Sequence, residues 1–519
     1  MTATSTPPAT PAGPPAPHRS RLHPARAGFL HLLRAEWTKF RTVRAWPLVL
    51  LAAAVVTVLI SMLSASGSHT SGSPPFVQGP DGTVVSDSFR TTHRSLTGDG
   101  TLTVRVTSMR ADGGGLEPWA KAGLLIKQSL KRGAPYAAVM VTPGHGVRAE
   151  WNFTHDTAGP AADPTASPQW LRLTRKGDTV TAYASADGRG WTRIAAVRLS
   201  GLARTVQAGV FVATPDHEEV SRSIGGGSVT SGGGSVTAAF DHLSLRGTSP
   251  DADWASTDVG APAPDGPTPH NAPGEGRTQV SAAGTYTLTG HGDIAPDTLQ
   301  PDRVQMSFQG VSVGLLFLVA VGVLFMTSEY KRGLIRTTFT ASPSRAAVLG
   351  AKSLVIGGVT VVTCLPALAL GYVLAQRGLR RNGYAEPAFP DLPLLHGPAA
   401  RAVVGSALLM ALVAVLALAV GAVLRSTAGA IATVTVLVVL PQILSLALPL
   451  GLARWLLRVT PAAAFAVQQG VPHYGFGRQT CLPESGCYPL DPWPGLLVLV
   501  AYTAAALGLA VWTVRRRDA

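Results

Sequence analysis

Residues 46–63, 310–327, 353–375, 402–424, 426–450 and 495–514 hold no Asp, Glu, Lys, Arg or His. Each has roughly the 17 to 25 residues that an apolar helix needs to cross a hydrocarbon core about 30 Å thick. Six such runs restrict the chain to a polytopic membrane protein. The balance of 46% hydrophobic against 14% charged residues agrees, being too apolar for an ordinary soluble fold.

The net charge of +14 gathers beside these runs and forms no single basic face with interleaved aromatics. It therefore follows the excess of Lys and Arg in cytoplasmic loops, and nucleic acid is not an expected partner. Three cysteines are too few for a metal or disulfide scaffold, and no metal site is expected. The first run has some forty-five residues before it, which makes it an uncleaved span and not a signal peptide.

Residues 1–26 begin with Pro, Ala and Thr without periodicity and are expected to form a disordered cytoplasmic tail. From 27 to 44 the spacing predicts an amphipathic helix, with Phe29, Leu32, Leu33, Trp37, Phe40 and Val43 on one arc and His31, Arg34, Thr38 and Arg41 opposite. With the first span it forms a unit over 27–64. Glu36 falls inside the apolar arc and admits two readings: an i,i+3 pair with Lys39 at the water line, or a partner on the segment 328–352.

Arg19, Arg21, Arg26, Arg34, Lys39, Arg41 and Arg44 hold the N-terminal side in the cytoplasm, so residues 65–308 lie outside. This insertion alternates with period two at 101–106 and 179–184, and further strands are expected at 122–126, 136–141, 146–153, 170–174, 206–212 and 236–245. Turns such as Asp187-Gly188 separate them. Short antiparallel strands without intervening helical patterns predict an all-β sandwich over 65–254, followed by a Pro/Gly linker and hairpin over 255–308. The run 169–192, QWLRLTRKGDTVTAYASADGRGWT, resembles the concanavalin-like and laminin-G-like jelly rolls of secreted carbohydrate-active proteins. That resemblance implies a possible glycan ligand, although Trp170, Tyr183 and Trp191 also suit the core and hairpin.

The remaining spans occupy 309–519 and alternate, leaving Arg515, Arg516 and Arg517 inside. Parity conflicts with charge at one place, where Arg377, Arg380 and Arg381 fall on an outer loop. In the last outer segment, 454–469 reads as a short helix dipping back toward the membrane. Beyond it, Cys481 and Cys487 are expected to pair in the oxidising compartment and close a small loop worth roughly 2 kcal/mol. Cys364 lies mid-span as a small packing residue.

No catalytic residues are expected. The chain lacks a G-x-x-x-x-G-K-[ST] phosphate loop, H-E-x-x-H and G-x-S-x-G, and its apolar runs carry no ionisable group to bind a coupling proton or cation. Transport would then need a separate motor.

Two stretches point to one. AEWTKFRTVRAW at 35–46, before the first span, and SEYKRGLIRTTFTASPSRAAVLGAK at 328–352, after the second, resemble the permease subunits of type-2 ABC exporters. The six spans and Thr460-Pro461 before the last fit that family. The resemblance implies a multi-pass plasma-membrane protein with both termini cytoplasmic, a transporter subunit and not an enzyme. It binds no cofactor itself, and a separate ABC ATPase carries ATP and Mg. It also implies a second permease protomer, identical or not. The helix before the first span becomes the elbow, and 328–352 becomes the coupling arm that seats in the ATPase. By position, the coupling residues are Glu329, Arg332, Arg336, Pro343, Ser344, Arg345 and Lys352, with Glu36 and Lys39 on the elbow. The same cations suit membrane lipid phosphates. A substrate path between facing protomers would use uncharged groups such as Ser312, Thr363, Ser406, Thr433 and Gln442. The alternative is a membrane-anchored surface receptor whose sandwich binds a glycan without transport.

Overall fold

The computed structural model describes residues 28–516 except 71–75, 112–114, 224–225, 250, 252, 261–275, 298–300, 332, 335–343, 387–388, 396, 473 and 478–486. Among the described residues, six helices are long and apolar enough to cross a membrane, and a β-sandwich is inserted between the first two. The expected tail, 1–26, lies outside the described residues.

Helix α1 (Phe29–Thr42) is amphipathic and buries Glu36 and Phe40. The chain turns at Val43 into α2 (Ala45–Gly67), the first spanning candidate. Phe40 meets Trp46 at 6.1 Å between ring centroids and Phe325 at 6.0 Å, so the elbow is held on the spanning helices by aromatic contacts.

After the sandwich come a single turn, α3 (Arg303–Met306), and α4 (Gly310–Lys331). Gly310 and Gly314 lie four apart on the face of α4 toward α2. A Cβ on Gly310 would fall 2.0 Å from the Thr57 carbonyl oxygen, and one on Gly314 would fall 2.1 Å from Thr57 Oγ1. Small residues at this spacing let two apolar helices pack backbone against backbone.

Helix α5 (Arg345–Arg381) has 37 residues. At 1.5 Å per residue it measures about 55 Å, against a core of about 30 Å, so it projects beyond the hydrocarbon. This places Arg377, Arg380 and Arg381 in its last turns, where Arg380 pairs with Asp391 at 2.9 Å. They occupy a helical extension instead of a loose loop.

Then follow α6 (Gly397–Leu424), α7 (Thr427–Val438) and α8 (Leu440–Ser445), with Pro441 at the break between the last two. The expected dipping helix is two pieces: α9 (Leu450–Val459), and a 3-10 helix (Pro461–Gln468) bent 94° from it, every residue of which is buried. Helix α10 (Pro492–Arg516) packs against that 3-10 helix and α6. Residues of all six spanning candidates join one apolar core.

In the sandwich, β2 (Phe89–Ala111) serves both layers. Its first half pairs with β10 (Thr205–Ala213) and β14 (Ala255–Val259). Beyond β10 the same layer continues through β3 (Lys121–Lys127), β4 (Tyr136–Thr142), β5 (Gly146–Trp151) and β6 (His155–Ala158). The second half of β2 pairs with β13 (Val236–Thr248) and with β7 (Gln169–Lys176). Next to β7 lie β8 (Thr179–Ser185) and β9 (Thr192–Arg198). Beyond β13 come β16 (Tyr286–Gly290) and β15 (Arg277–Val280), the expected hairpin, now an edge of this sheet. The alternate residues Leu102, Val104, Leu124, Ile126, Val139, Leu171, Leu173 and Val210 fill the space between layers.

The acidic run that begins at Asp216 leads into a separate hairpin, β11 (His217–Ser223) with β12 (Gly226–Gly232). A third sheet is a two-stranded strap, β1 (Val85–Asp87) with β17 (Ile294–Pro296), at the two places where the chain enters and leaves the sandwich. Val85, Ile294, Tyr136, Met140 and Phe211 share an apolar cluster, so the outer face of the first layer is buried beneath the strap.

Candidate functional site

At the end of the helices away from the sandwich, four charged side chains from three elements meet. Glu36 and Lys39 stand three apart on α1 and so share a face, and Lys39 Nζ donates to Glu36 Oε1 at 2.8 Å. Lys352, in the second turn of α5, donates to Glu36 Oε2 at 2.7 Å and to Glu329 Oε1 of α4 at 2.6 Å. Lys39 also reaches Glu329 Oε1, at 3.2 Å. Both readings of Glu36 hold together: it pairs with its own helix and with Lys352.

The network carries two positive and two negative charges. Lys352 is wholly buried with its ammonium 4.7 Å from the Phe325 ring centroid, and both carboxylates are nearly as enclosed. Only Lys39 reaches solvent appreciably, its side chain 39% exposed. Desolvation is the largest influence on Lys39 and lowers its pKa, but the hydrogen bond to Glu36 and the charges of Glu329 and Glu36 outweigh it and raise the pKa overall. Glu329 Oε2 is buried without a hydrogen-bond partner among the described residues. Removing one ion from such a group leaves the others uncompensated at low dielectric.

The segment between α4 and α5 hangs from this network. Glu329 and Lys352 belong to the helices themselves, and both helices run beyond the apolar stretches that bounded the expected arm. Ser344 is the N-cap residue of α5, and Arg345 donates to the Val514 carbonyl of α10. Arg332, Arg336 and Pro343 lie outside the described residues.

A second feature sits at the opposite, sandwich end. Thr327 Oγ1 and Thr427 Oγ1 are 3.0 Å apart, which puts the start of α7 beside the far end of α4. The chain of α7 and α8 therefore rises toward the sandwich, and Gln442 reaches the start of α4. There a cavity of about 300 Å3 is lined by Gln305, Gln309, Ser312, Gln442, Ser445 and Gln468, with Phe308, Leu457 and Phe465.

Of the five residues expected on a path, Ser312 and Gln442 line this cavity. Ser406 stands behind it, accepting from Gln468 Nε2 at 3.2 Å. Thr433 is exposed and donates to the Gly429 carbonyl one turn earlier, and Thr363 is half-buried elsewhere on α5. Gln305 and Gln309 went unforeseen because they precede the apolar run at 310, where a count of glutamines at run ends would have found them; Gln468 lies in the dipping segment, far from any run. Cys487 is disulfide-bonded and Cys364 is a buried free thiol; Cys481 lies outside the described residues.

The sandwich holds a further buried ion cluster. Lys121 Nζ donates to Glu150 Oε2 at 3.1 Å and to the Ile294 carbonyl at 2.7 Å, and its ion pair with Asp293 spans 2.9 Å. Lys127 Nζ donates to Asp87 Oδ2 at 2.7 Å. Asp87, Asp293 and Ile294 belong to the strap or adjoin it, so two lysines of β3 clamp it down. Burial pushes the Glu150 carboxyl up to about 7 despite the opposing Lys121 charge, and Asp293 pushes the same way. Burial also raises Asp87, against the pull of Lys127. Trp170 packs under the Asp187-Gly188 turn, and Trp191 stacks with the Arg172 guanidinium 3.7 Å from its ring.

The fold and these sites define a membrane protein with, among the described residues, six candidate spanning helices and an inserted β-sandwich. No protein-family model matches the chain, and no curated protein matches it. Among solved structures, a functionally unknown protein from Saccharomyces cerevisiae is similar at 16% identity and a TM-score of 0.23, over 34% of this chain and 84% of that one. Scytalido-glutamic peptidase is similar at 12% identity and a TM-score of 0.25, over 40% of this chain and 98% of that one. Basic winged bean lectin is similar at 13% identity and a TM-score of 0.13, over 28% and 67%. Likeness of this degree bears on neither the fold nor the function of this chain.

Proposed function

We propose that this chain is the permease subunit of an ATP-driven exporter in the plasma membrane, moved by a separate nucleotide-binding subunit that engages the segment between α4 and α5. The observation that carries the reading is the Glu36–Lys39–Glu329–Lys352 network. It ties the elbow to both helix ends from which that segment hangs, so a push on the segment is delivered to three elements at once.

The network is suited to two arrangements rather than a continuum. Its charges balance, its members are hydrogen-bonded, and Glu329 Oε2 is left over as an acceptor for a shifted Lys352 or Lys39. The partner ATPase would supply ATP and Mg, and a second permease protomer would complete the path across the membrane. The sandwich would shield or deliver cargo outside.

The test is co-purification. The tagged full chain is purified from its native membranes, and again with residues 332–343 replaced by Gly and Ser, and each eluate is assayed for a nucleotide-binding ATPase. The ATPase is expected to co-purify with the first and be lost from the second, while membrane insertion is unchanged. Retention of the ATPase by the second would overturn the coupling assignment.

A further inference from the structure

The cavity at the sandwich end differs from the rest of the membrane part. Gln305, Gln309, Gln442 and Gln468 converge there with Ser312 and Ser445, in a region built otherwise from Leu, Val and Ala. Gln442 Nε2 is buried and finds no hydrogen-bond acceptor among the described residues. An amide donor left unpaired beside hydrocarbon is costly, and water or a ligand is the usual remedy.

Among the described residues, no carboxylate, ammonium, guanidinium or imidazole lines this cavity. A formally charged ligand group would enter without a countercharge, at a cost of several kcal/mol. Amide side chains present a donor and an acceptor together, matching hydroxyls, which also do both. Phe308, Ile443, Leu446, Leu457 and Phe465 offer apolar surface beside them. At about 300 Å3 the space is at the small end of ligand pockets, enough for one compact head group.

We infer that this cavity binds the uncharged, hydroxyl-bearing head of an amphiphile whose apolar body lies against the neighbouring aliphatic and aromatic side chains. Gln442 donates to the ligand, and Ser312 and Gln309 complete the rim. Gln468, fixed by its bond to Ser406, serves as the rigid back wall. As a statement about cargo this rests on the exporter reading. As a binding site it does not.

The experiment uses the full chain in nanodiscs, without nucleotide or ATPase, and three labelled probes sharing a dodecyl chain: a maltoside, a sulfate and a trimethylammonium. The maltoside is expected to bind saturably at one site per chain, with the two charged probes at least tenfold weaker. Gln442→Leu should weaken the maltoside about tenfold, the effect of one lost hydrogen bond in an enclosed site. Ser312→Leu, which fills the cavity, should do so independently if Gln442→Leu fails to fold. Thr503→Val, whose hydroxyl is satisfied by the Leu499 carbonyl within its own helix, is the control and should change nothing. Equal binding of all three probes, or maltoside binding indifferent to both cavity variants, would overturn the inference. Selective maltoside binding by a chain with which no ATPase co-purifies would leave the site standing and remove the exporter reading alone.

Discussion

The two buried ion clusters solve the same problem with different charge counts. At the elbow, Lys352 and Lys39 face Glu36 and Glu329, two cations against two anions. In the sandwich, Lys121 faces both Glu150 and Asp293, one cation against two anions. A balanced cluster needs no proton, whereas a cluster with a surplus carboxylate sheds charge by holding one. Glu150, the most enclosed of its group, is where the proton goes, and its carboxyl is pushed up to about 7. The sandwich clamp is therefore a joint that also reads pH.

The sharpest way to break the comparison is to unbalance the elbow. Lys352→Met removes the wholly buried cation of the network and leaves Glu36 and Glu329 sharing the half-exposed Lys39. The expected loss is about 5 kcal/mol, the upper part of the range for breaking a buried ionic group. It would show as a lower denaturation midpoint of the full chain in detergent. Adding Glu329→Gln should recover most of the loss, because the remaining pair is balanced again. A variant carrying Lys352→Met alone with wild-type stability would mean that the network bears no load.

The same operation on the sandwich should cost less. Lys127 holds one carboxylate, Asp87, which also accepts from the Gly133 N–H at 2.7 Å. Lys127→Met is expected to cost about 4 kcal/mol locally. The readout is amide exchange: Val85–Asp87 and Ile294–Pro296 should lose protection, while the β7–β8 pairing keeps it. Uniform loss over both layers would show that the strap and the sandwich open as one unit.

Third comes the pH dependence that sets the clusters apart. A carboxyl pushed from its ordinary value near 4.5 up to about 7 holds its proton in the folded state while the unfolded chain has lost it. Its contribution to stability is complete below about 4.5 and falls away as pH rises to about 7, by about 3 kcal/mol at most. Burial moves Asp87 in the same direction. Strap protection measured by exchange, corrected for intrinsic rates, should therefore be greater at pH 5 than at pH 8. Glu150→Gln should flatten most of that slope, and an unchanged slope would place the titration elsewhere.

How much of this was readable in the sequence follows from what each side chain does. The spanning helices announced themselves through missing charge, and strands such as β7 and β8 through strict alternation, since one face meets the core and the other water. The first half of β2 did not. Its polar residues pair sideways, His93 with Gln207 at 2.7 Å, Arg90 with Asp258 at 2.8 Å, and Thr92 with Ser256 at 2.8 Å, and they break the alternation that marks a strand. Lys121 and Lys127 bracket an apolar run and looked like ordinary strand ends. Only the strap, recruited from some 35 residues before β3 and more than 160 after it, turns them inward. Glu36 could be found because an acid inside an apolar arc needs a partner. Its partner Lys352 was read as part of an exposed arm, since nothing local says that α5 begins before it.

The smallest effect tests the premise that burial is what matters. Arg380 and Asp391 form an ion pair at 2.9 Å, a distance close to those in both clusters, but their side chains are 44% and 57% exposed. Water already solvates both ends and salt screens them, so distance alone overstates the bond. Asp391→Asn is expected to shift stability by less than about 0.5 kcal/mol, with any shift vanishing in 0.5 M salt. The charge on Arg380 is not left stranded when its partner goes, whereas Glu36 and Glu329 are stranded when Lys352 goes. A loss comparable to that of Lys352→Met would mean that the end of α5 is covered in the working protein, by a second protomer or by the sandwich.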